Sequence, residues 1–469
     1  MAISNENPKW HDFGKNTNGW AFHHRFVFTN KSLCIITLLS ADMKHRFIIF
    51  YLLLVTYNTS AQREPDRIYM EGIQTVKLFQ QNDQQSVPLI RLGSADQLEL
   101  HFDDLSGMAR NFFYTYELCN ADWKPALLNP FDYLKGFTQN RIAQYRMSSI
   151  AMTKYMHYQV LLPERSCMPS KSGNYLLKVF LNGDTSKLAF TRRVMIVDDR
   201  VNIGARISQP FNSSQIRTHQ KVQVTVGAKD LNIMSPQQQT KLVILQNNRW
   251  SDAAYNLQPS FIRGNALEYN GEQDAVFPAG KEFRWADLRS FRFESDRVER
   301  VDRSEFPHHI FIRPDLQRND LRYAFFNDRN GWNEISTTES INPWWQGDYA
   351  KVEFTLVPSN GQPYPGKDVF IVGEMTGNQA SDSSRMVFDT EKGVYKKLLF
   401  LKQGYYSYQY LTKDTRDRSA KAEPSLTEGN YWETENEYLI LFYFRPFSGR
   451  HDELLGVTRL NSRNFGNGF

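Results

Sequence analysis

Residues 173–183 read GNYLLKVFLNG and indicate the fold class of this chain. Tyr175 to Leu181 is a run of apolar and aromatic residues with a single lysine, which is typical of a buried β-strand. Asn182-Gly183 follows directly and is a two-residue turn signal that favours a β-hairpin. The next apolar run, Phe190 to Val197, supplies the returning strand. Residues 173–197 therefore predict two antiparallel strands.

Runs of the same kind precede this hairpin and are separated by turn residues, which is the pattern of a β-sheet protein. They lie at Gln97 to Phe102, Phe113 to Leu118 and Tyr155 to Leu162. Between Leu127 and Ile150 the pattern is less regular and predicts a long structured loop. We predict a first β-sandwich domain over residues 63–200.

The rest of the chain repeats this pattern. Val222, Val224 and Val226 alternate with polar residues, and Arg292-Phe293-Glu294 alternates charge with an aromatic ring, as in half-exposed strands. Farther on, Val369 to Val372 is continuously apolar, as in a strand that is buried on both faces. Aromatic residues make up 14% of the chain, and this abundance favours strands over helices.

These patterns predict an all-β protein of three consecutive immunoglobulin-like β-sandwich domains after an export signal. The predicted domains are residues 63–200, 201–344 and 345–460, followed by a flexible tail at residues 461–469. No stretch sustains the apolar period of a helix, and no segment after the signal is long and apolar enough to cross a membrane as a helix.

The export signal is predicted from a charged start, an apolar run and a small-residue site. Met43 is followed by three basic residues, then by Phe47 to Val55 and Thr59-Ser60-Ala61. The apolar run is too short to span a bilayer, which takes roughly 20 residues, so it is typical of a removable signal peptide. We predict a signal peptide at residues 43–61, cleaved after Ala61. Residues 1–42 are then a start-site artefact; the alternative is one long, split signal region.

The charge balance argues against some classes of partner. The chain has 56 basic and 51 acidic residues; residues 1–62 hold six and three of them, so the remainder has a net charge of about +2. Nucleic-acid-binding domains carry a clear basic excess, so nucleic acid is not the expected partner. The balance also gives no electrostatic reason for binding to a membrane surface.

The sequence contains no convincing catalytic or metal-binding motif. Residues 361–367, GQPYPGK, match the spacing of a phosphate loop, but Asp368 replaces the metal-binding hydroxyl and two prolines remove backbone donors. A turn between strands is the expected structure here. His308-His309 are adjacent on a strand and point to opposite faces, so they predict no shared metal ion. Export permits a disulfide between Cys119 and Cys167, and two unpaired thiols are the alternative.

The carboxylates and the aromatic rings are the remaining candidates for a site. The carboxylates are typical of turn residues and solvated charges; they lie at Asp103-Asp104, Asp198-Asp199 and Asp328 beside Arg329. Exposed rings stack on sugars or accept a partner, whereas buried rings pack in a core or pair across strands. Packing is the expected role, and the rings in question are Trp344, Trp345, Trp432, Tyr405, Tyr406, Tyr408 and Tyr410. We predict a non-enzymatic protein without metal or cofactor.

Several stretches resemble the plug protein of the bacterial type IX secretion system. In the first domain they are YELCNADW (116–123), YLKGF (133–137), YMHY (155–158) and SGNY (172–175). Toward the C-terminus they are QGYY (403–406), EG (428–429), TEN (434–436) and DELLG (452–456). The resemblance spans roughly residues 65–460 and depends on the order of these stretches along the chain.

The resemblance implies a non-enzymatic periplasmic protein at the inner side of the outer membrane. Such plugs dock on the periplasmic mouth of the outer-membrane translocon barrel and seal it while no substrate is passing. The implied partner is therefore this barrel, with no small-molecule substrate and no nucleic acid. Trp123 lies in the best-matching stretch and is expected to be structural. The resemblance assigns no contact residues, so the binding surface is unknown at this stage.

The third domain also resembles the early-set immunoglobulin-like modules that bind glycogen and starch. VFIVG (369–373), MVFD (386–389) and GVY (393–395) fit that layout. After Gly373, however, the tryptophan that those modules use for sugar stacking is missing. The resemblance therefore implies the fold and not the sugar site. A periplasmic or surface glycan-binding protein is the alternative function, and an exported hydrolase is a third one.

Overall fold

The structure is a computed structural model that describes residues 64–417 and 419–463. The predicted signal peptide and its cleavage site lie outside the described residues. The described chain contains 30 β-strands, two four-residue α-helices at Pro236–Gln239 and Pro343–Gln346, and three short 3₁₀ helices. The all-β prediction is therefore confirmed. Within the described ranges, no helix has the length and apolar character to cross a membrane.

Eleven strands form the first sandwich. They are β1 (Ile73–Gln80), β2 (Leu89–Arg91), β3 (Leu98–Asp104), β4 (Phe112–Cys119), β5 (Leu134–Gly136), β6 (Asn140–Arg141), β7 (Gln144–Met147), β8 (Met156–Leu162), β9 (Cys167–Pro169), β10 (Gly173–Leu181) and β11 (Leu188–Val197). One sheet has the order β1-β3-β8-β7 and the other β2-β11-β10-β4-β6, while β5 and β9 pair separately. The predicted hairpin is β10 with β11. The irregular segment holds β5, β6, β7 and the 3₁₀ helix Pro130–Asp132.

The two sheets of the first sandwich enclose an aromatic core. Phe102 stacks on Tyr158 with ring centroids 5.0 Å apart, and it meets Phe112 and Phe190 edge-on at 5.1 and 5.0 Å. All four rings are fully buried. Each contributes about 2–3 kcal/mol through the area removed from water. Alternation along the strands places these rings inside, as the sequence pattern indicates.

The next seventeen strands follow in two groups. The first group is β12 (Asn202–Ser208), β13 (His219–Gly227), β14 (Thr240–Gln246), β15 (Ala254–Leu257), β16 (Phe261–Arg263), β17 (Ala266–Tyr269) and β18 (Val276–Pro278). The second group is β19 (Arg284–Asp287), β20 (Val298–Asp302), β21 (His309–Ile312), β22 (Asp315–Leu316), β23 (Asn333–Glu334), β24 (Tyr349–Val357), β25 (Lys367–Val372), β26 (Val387–Asp389), β27 (Val394–Lys402) and β28 (Tyr405–Asp414). The last two strands are β29 (Glu437–Phe444) and β30 (Glu453–Asn461).

The C-terminal strands complete the second sandwich. β14 pairs with β29 over the whole length of β14, and the sheet β15-β14-β29-β30 faces the sheet β12-β13-β17-β16. The third sandwich is built from β19 to β28 and has its own core around Phe354, Tyr408 and Tyr410. Strands therefore pair across the predicted boundary at residues 344–345. The third sandwich is inserted between β18 and β29 of the second.

The segment around Phe293 is a loop and not the predicted strand. One carboxylate oxygen of Glu339 accepts the backbone N–H groups of Phe291 and Arg292 at 2.9 and 3.0 Å. The hydroxyl of Ser290 accepts the N–H of Phe293 at 2.9 Å. Side chains thus bind the backbone donors that a neighbouring strand would need. The strand prediction at residues 292–294 was wrong for this reason.

A second apolar cluster joins the first and second sandwiches. Trp123 meets Trp250 edge-on with ring centroids 5.0 Å apart, and the guanidinium of Arg193 lies 4.9 Å from each ring. Leu176 and Leu441 belong to the same cluster. Trp123 is only 4% exposed, so its predicted structural role agrees with its burial.

Candidate functional site

A network of buried polar side chains crosses from the first sandwich to the third. Asp103 on β3 and His157 on β8 belong to the first sandwich, and Tyr349 on β24 and Lys402 on β27 belong to the third. The imidazole Nδ1 of His157 lies 2.7 Å from one carboxylate oxygen of Asp103. The other oxygen accepts the hydroxyl of Tyr349 at 2.6 Å and the ammonium of Lys402. We call these four residues the interdomain network.

A second histidine extends the network toward solvent. His101 Nδ1 lies 3.1 Å from His157 Nε2, and His101 Nε2 lies 3.1 Å from a carboxylate oxygen of Glu99. The His101 ring also stacks on Trp344 at 3.9 Å. Sequence reasoning missed this pair, because the two histidines are 56 residues apart. The available signal was a histidine in each of two strand-like runs.

Burial decides the protonation states in the network. Burial alone would raise the pKa of Asp103, but Lys402 and His157 hold it below the usual range. Burial lowers the pKa of His157 to about 4 and also lowers the pKa of Lys402. His157 is therefore neutral at pH 7. Its Nδ1 carries the proton, since the ionised Asp103 can only accept.

The interdomain network is buried and has a structural role. Asp103, His157 and Lys402 are each no more than 1% exposed, so a substrate has no approach to them. Asp104 is also fully buried, and Arg110 binds it with two hydrogen bonds of 2.5 and 2.7 Å. The expectation that Asp103-Asp104 are turn or solvated residues was therefore wrong. Both lie at the end of β3, where they face neighbouring chain rather than solvent.

The tyrosines of β28 pack in the core of the third sandwich. Tyr406, Tyr408 and Tyr410 are no more than 1% exposed, and the hydroxyls of the last two donate to Asp315 at 2.8 and 2.9 Å. Arg284 joins Asp315 to Glu428 by ion pairs of 2.9 and 3.0 Å. The expected packing role of these tyrosines is confirmed. Tyr405 faces the other way and lies under the guanidinium of Arg329.

The tryptophans are also engaged within the protein. His101 covers one face of Trp344, and Arg146 lies 4.8 Å from the ring of Trp345. Trp432 lies against the second sandwich, where its carbonyl accepts a hydrogen bond from the side chain of Gln220 at 2.6 Å. One face of Trp344 is therefore unavailable for the stacking on sugar that glycan binding requires.

The remaining sequence candidates have structural roles. Cys119 and Cys167 are unpaired and buried, and burial raises the pKa of each thiol to about 12. His309 stacks on Phe311 at 4.0 Å. Residues 361–366 form the turn that leads into β25, as predicted. Among the described residues, no group of three or more metal-binding side chains is arranged to hold an ion.

Asp198-Asp199 and Asp328 differ from each other in environment. Asp198 and Asp199 follow β11 at or near the surface, as expected of solvated charges. Asp328 is partly buried, accepts the backbone N–H groups of Phe283 and Asn330, and has its pKa raised to about 7 by burial. Among the described residues, its hydrogen bonds are to these two backbone groups.

Large exposed apolar side chains of the first sandwich and of the connection between β29 and β30 are the strongest candidate for a docking surface. Leu127 is 87% exposed and Phe131 is 76% exposed. Asn129 and Asp132 cap the single turn that carries Phe131, which holds the ring outward. Arg450 donates to the carbonyl of Leu127 at 2.7 Å, and Phe447, in the same connection between β29 and β30, is 62% exposed. We call Leu127, Phe131 and Phe447 the apolar ridge.

Comparison with known proteins supports a single family. The first domain of the type 9 secretion system plug protein family matches residues 73–198. A hypothetical protein from Parabacteroides merdae, known from a crystal structure, is 31% identical with a TM-score of 0.81. The similarity covers 85% of this chain and 99% of that one. No curated protein matches the chain. The chain therefore belongs to the type 9 secretion system plug protein family and is a component of type IX secretion.

Proposed function

We propose that this protein docks on the periplasmic opening of the type IX outer-membrane translocon and seals it while no substrate passes. The observation that carries the proposal is the family match over residues 73–198. The proposal includes export by the signal peptide at residues 43–61 and a periplasmic location at the inner side of the outer membrane. It also includes a non-enzymatic mode of action, because a seal requires shape and contact rather than chemistry.

A seal has to resist deformation, and the sandwiches are joined in ways that supply stiffness. The interdomain network fastens the first sandwich to the third, and the ammonium of Lys77 binds Glu374 across the same boundary at 2.6 Å. The tryptophan pair Trp123 and Trp250 fastens the first sandwich to the second. Breaking any of these contacts leaves a buried polar group without its partner or removes an aromatic packing contact, and either change lowers the free energy of unfolding.

The surface that we assign to docking is the apolar ridge. Two of its three side chains lie within the segment that matches the family. Exposed large apolar side chains with charged neighbours have the composition of a protein contact patch, in which an apolar centre is surrounded by a polar rim. Here Arg450 and Asp132 supply charges beside the ridge, with their closest atoms 4.0 Å apart.

The proposal is tested by outer-membrane permeability in a strain that makes the translocon barrel. Deletion of the gene should admit large antibiotics, while cargo export continues. Complementation with Phe131→Asp should leave the pore open. Complementation with the matched variant Phe293→Asp, which changes a ring that is 78% exposed on the third sandwich, should restore the seal.

Unchanged permeability after deletion, with the barrel present in the membrane, would leave the sealing function without support. Normal permeability combined with a growth defect on one polysaccharide would favour glycan binding instead. N-terminal sequencing of periplasmic material tests the export step, which predicts a mature chain beginning at Gln62. A mature chain that retains Phe47 to Val55 would contradict it.

A further inference from the structure

A cavity of about 1350 Å³ lies between the first and third sandwiches. One wall consists of residues 74–78 of β1 and of Arg192, Arg193 and Met195 on β11. The other wall consists of residues 374–383 and the end of β28. Pockets for drug-sized molecules occupy roughly 300–1000 Å³. This cavity is larger and has room for several residues of an extended peptide.

The carboxylates along this cavity are already neutralised by the chain itself. Each acidic side chain that lines it has an ion-pair partner among the described residues. The pairs are Glu64 with Arg67, Asp66 with Arg193, Glu374 with Lys77, Asp368 and Asp382 with Arg385, and Asp414 with Lys367.

Arg192 is the exception among the arginines of the cavity wall. Its guanidinium donates to the backbone carbonyls of Thr191 and Val76 at 2.9 and 3.1 Å. No carboxylate in the described chain lies within 4.0 Å of it. Asp66 and Glu374 act on it electrostatically, but both are bound to other cations. Of its five N–H donors, three are left for another partner.

A half-buried arginine without a carboxylate partner favours the binding of an anion. Burial lowers the pKa of Arg192, which means that its charged form is destabilised by the loss of water. A planar guanidinium matches a carboxylate with two parallel hydrogen bonds, and such a pair compensates for lost hydration. Apolar side chains, among them Phe370, Met375 and Phe400, share the lining with it. The guanidinium of Arg192 and the apolar side chains beside it together fit a peptide that has one carboxylate among uncharged side chains.

The wall beside Arg192 departs from regular strand geometry. The register of β1 against β3 shifts between Gln74 and Lys77, and Thr75 has a φ of 49°. A β-branched residue with positive φ is a strained conformation, and bulges of this kind redirect side chains at functional positions. The hydroxyl of Thr75 lies 2.6 Å from that of Tyr349, so the bulge is held by the third sandwich.

We propose that this cavity binds an extended acidic peptide segment, with Arg192 pairing with an aspartate or glutamate side chain of that segment. This inference goes beyond the proposed sealing function and does not rest on it. The site stands between two sandwiches, so the ligand would contact both at once.

The test uses fluorescence anisotropy of the purified mature protein with labelled octapeptide pools. One pool has a central glutamate among neutral residues and an amidated C-terminus; the matched pool has glutamine in its place. We expect the glutamate pool to bind and Arg192→Gln to weaken it at least tenfold. Arg192→Lys, which keeps the charge without the planar fork, should fall between. Arg217→Gln removes an exposed arginine outside the cavity and should bind like the unaltered protein.

Three outcomes of the binding measurement, and a fourth in competition with phosphate, would overturn the inference. The three are equal binding of the two pools, unchanged binding by Arg192→Gln, and no binding of either pool. Displacement of the peptide by inorganic phosphate at equal concentration would assign the site to a small oxyanion and contradict the peptide proposal. The unfolding midpoint of each variant is measured in parallel, and a variant with an unaltered midpoint separates lost binding from lost folding.

Discussion

Neutralising Asp103 should destabilise the protein strongly, because its carboxylate is fully buried between the first and third sandwiches. Asp103→Asn keeps the shape of the side chain but removes the negative charge that faces Lys402 and Tyr349. Lys402 is then a buried cation whose remaining contacts are the backbone carbonyl of Trp344 and the rings of Tyr155 and Tyr349. Breaking a buried ion pair on one side typically costs about 3–5 kcal/mol. We expect a loss of free energy of unfolding in that range.

Removing both charges should restore most of the lost stability. Asp103→Asn with Lys402→Met removes both charges of this pair, and replacing a buried ion pair by uncharged groups is often nearly neutral. Tyr349 keeps its contact with Thr75, and His157 keeps His101. The double variant should therefore lie within about 2 kcal/mol of the unaltered protein. The pair of changes is coupled, as contacting residues are in a double-mutant cycle.

Urea unfolding at pH 7, followed by tryptophan fluorescence, measures these differences. With a slope of about 3 kcal/mol per molar urea, a loss of about 3–5 kcal/mol should lower the unfolding midpoint of the single variant by about 1–1.7 M. Asp199→Asn, at an exposed position after β11, serves as the control and should change stability by less than about 0.5 kcal/mol. A double variant no more stable than Asp103→Asn would refute the reasoning, as would a single loss below about 1 kcal/mol.

Three further predictions follow from burial. Trp123→Ala should lower the free energy of unfolding by about 3–5 kcal/mol through loss of the contact with Trp250, and an unchanged melting temperature would contradict it. Burial raises the pKa of Asp328 to about 7, so between about pH 4 and 7 the folded state binds a proton that the unfolded state lacks, and stability falls as the pH rises through this window. Asp328→Asn should remove this pH dependence. In urea unfolding at pH 8 the variant should be more stable than the unaltered protein by up to roughly 4 kcal/mol. In the mature chain, Cys119 and Cys167 should resist a thiol reagent until urea unfolds the protein, and rapid labelling of the native state would show that a thiol is accessible.

Local pattern was sufficient for the strands but not for their partners. Val369 to Val372 and Tyr405 to Leu411 are strands where the apolar runs predict them. The pairing of β14 with β29 joins Leu242 to Phe442, and a link of that length leaves no trace in the local pattern. The domain boundaries predicted from sequence therefore treat the last two strands as part of the third domain, although they pair with the second sandwich. The resemblance to glycogen-binding modules stays a prediction.

The candidate sites were less predictable than the fold. The apolar ridge depends on exposure, and the irregular pattern of residues 127–150 indicates a loop without showing which of its side chains face solvent. The interdomain network requires that β3 pairs with β8 and that the third sandwich places Lys402 beside Asp103. The spacing of these residues along the chain therefore does not predict it. Tyr408 and Tyr410, in contrast, were assigned correctly because alternate aromatic residues on one strand usually share a core.

The insertion of the third sandwich also sets an order of events during synthesis. A ribosome makes β14 more than 190 residues before β29, so the second sandwich lacks half of one sheet until the C-terminus has emerged. The first sandwich and the third have complete sets of strands earlier and can condense on their own. Until then, the edge of β14 that later pairs with β29 stays unpaired, and unpaired strand edges are prone to incorrect pairing and aggregation. Closing two distant segments also adds loop-closure entropy to the barrier, so completion of this sheet should be the slow, final step of folding.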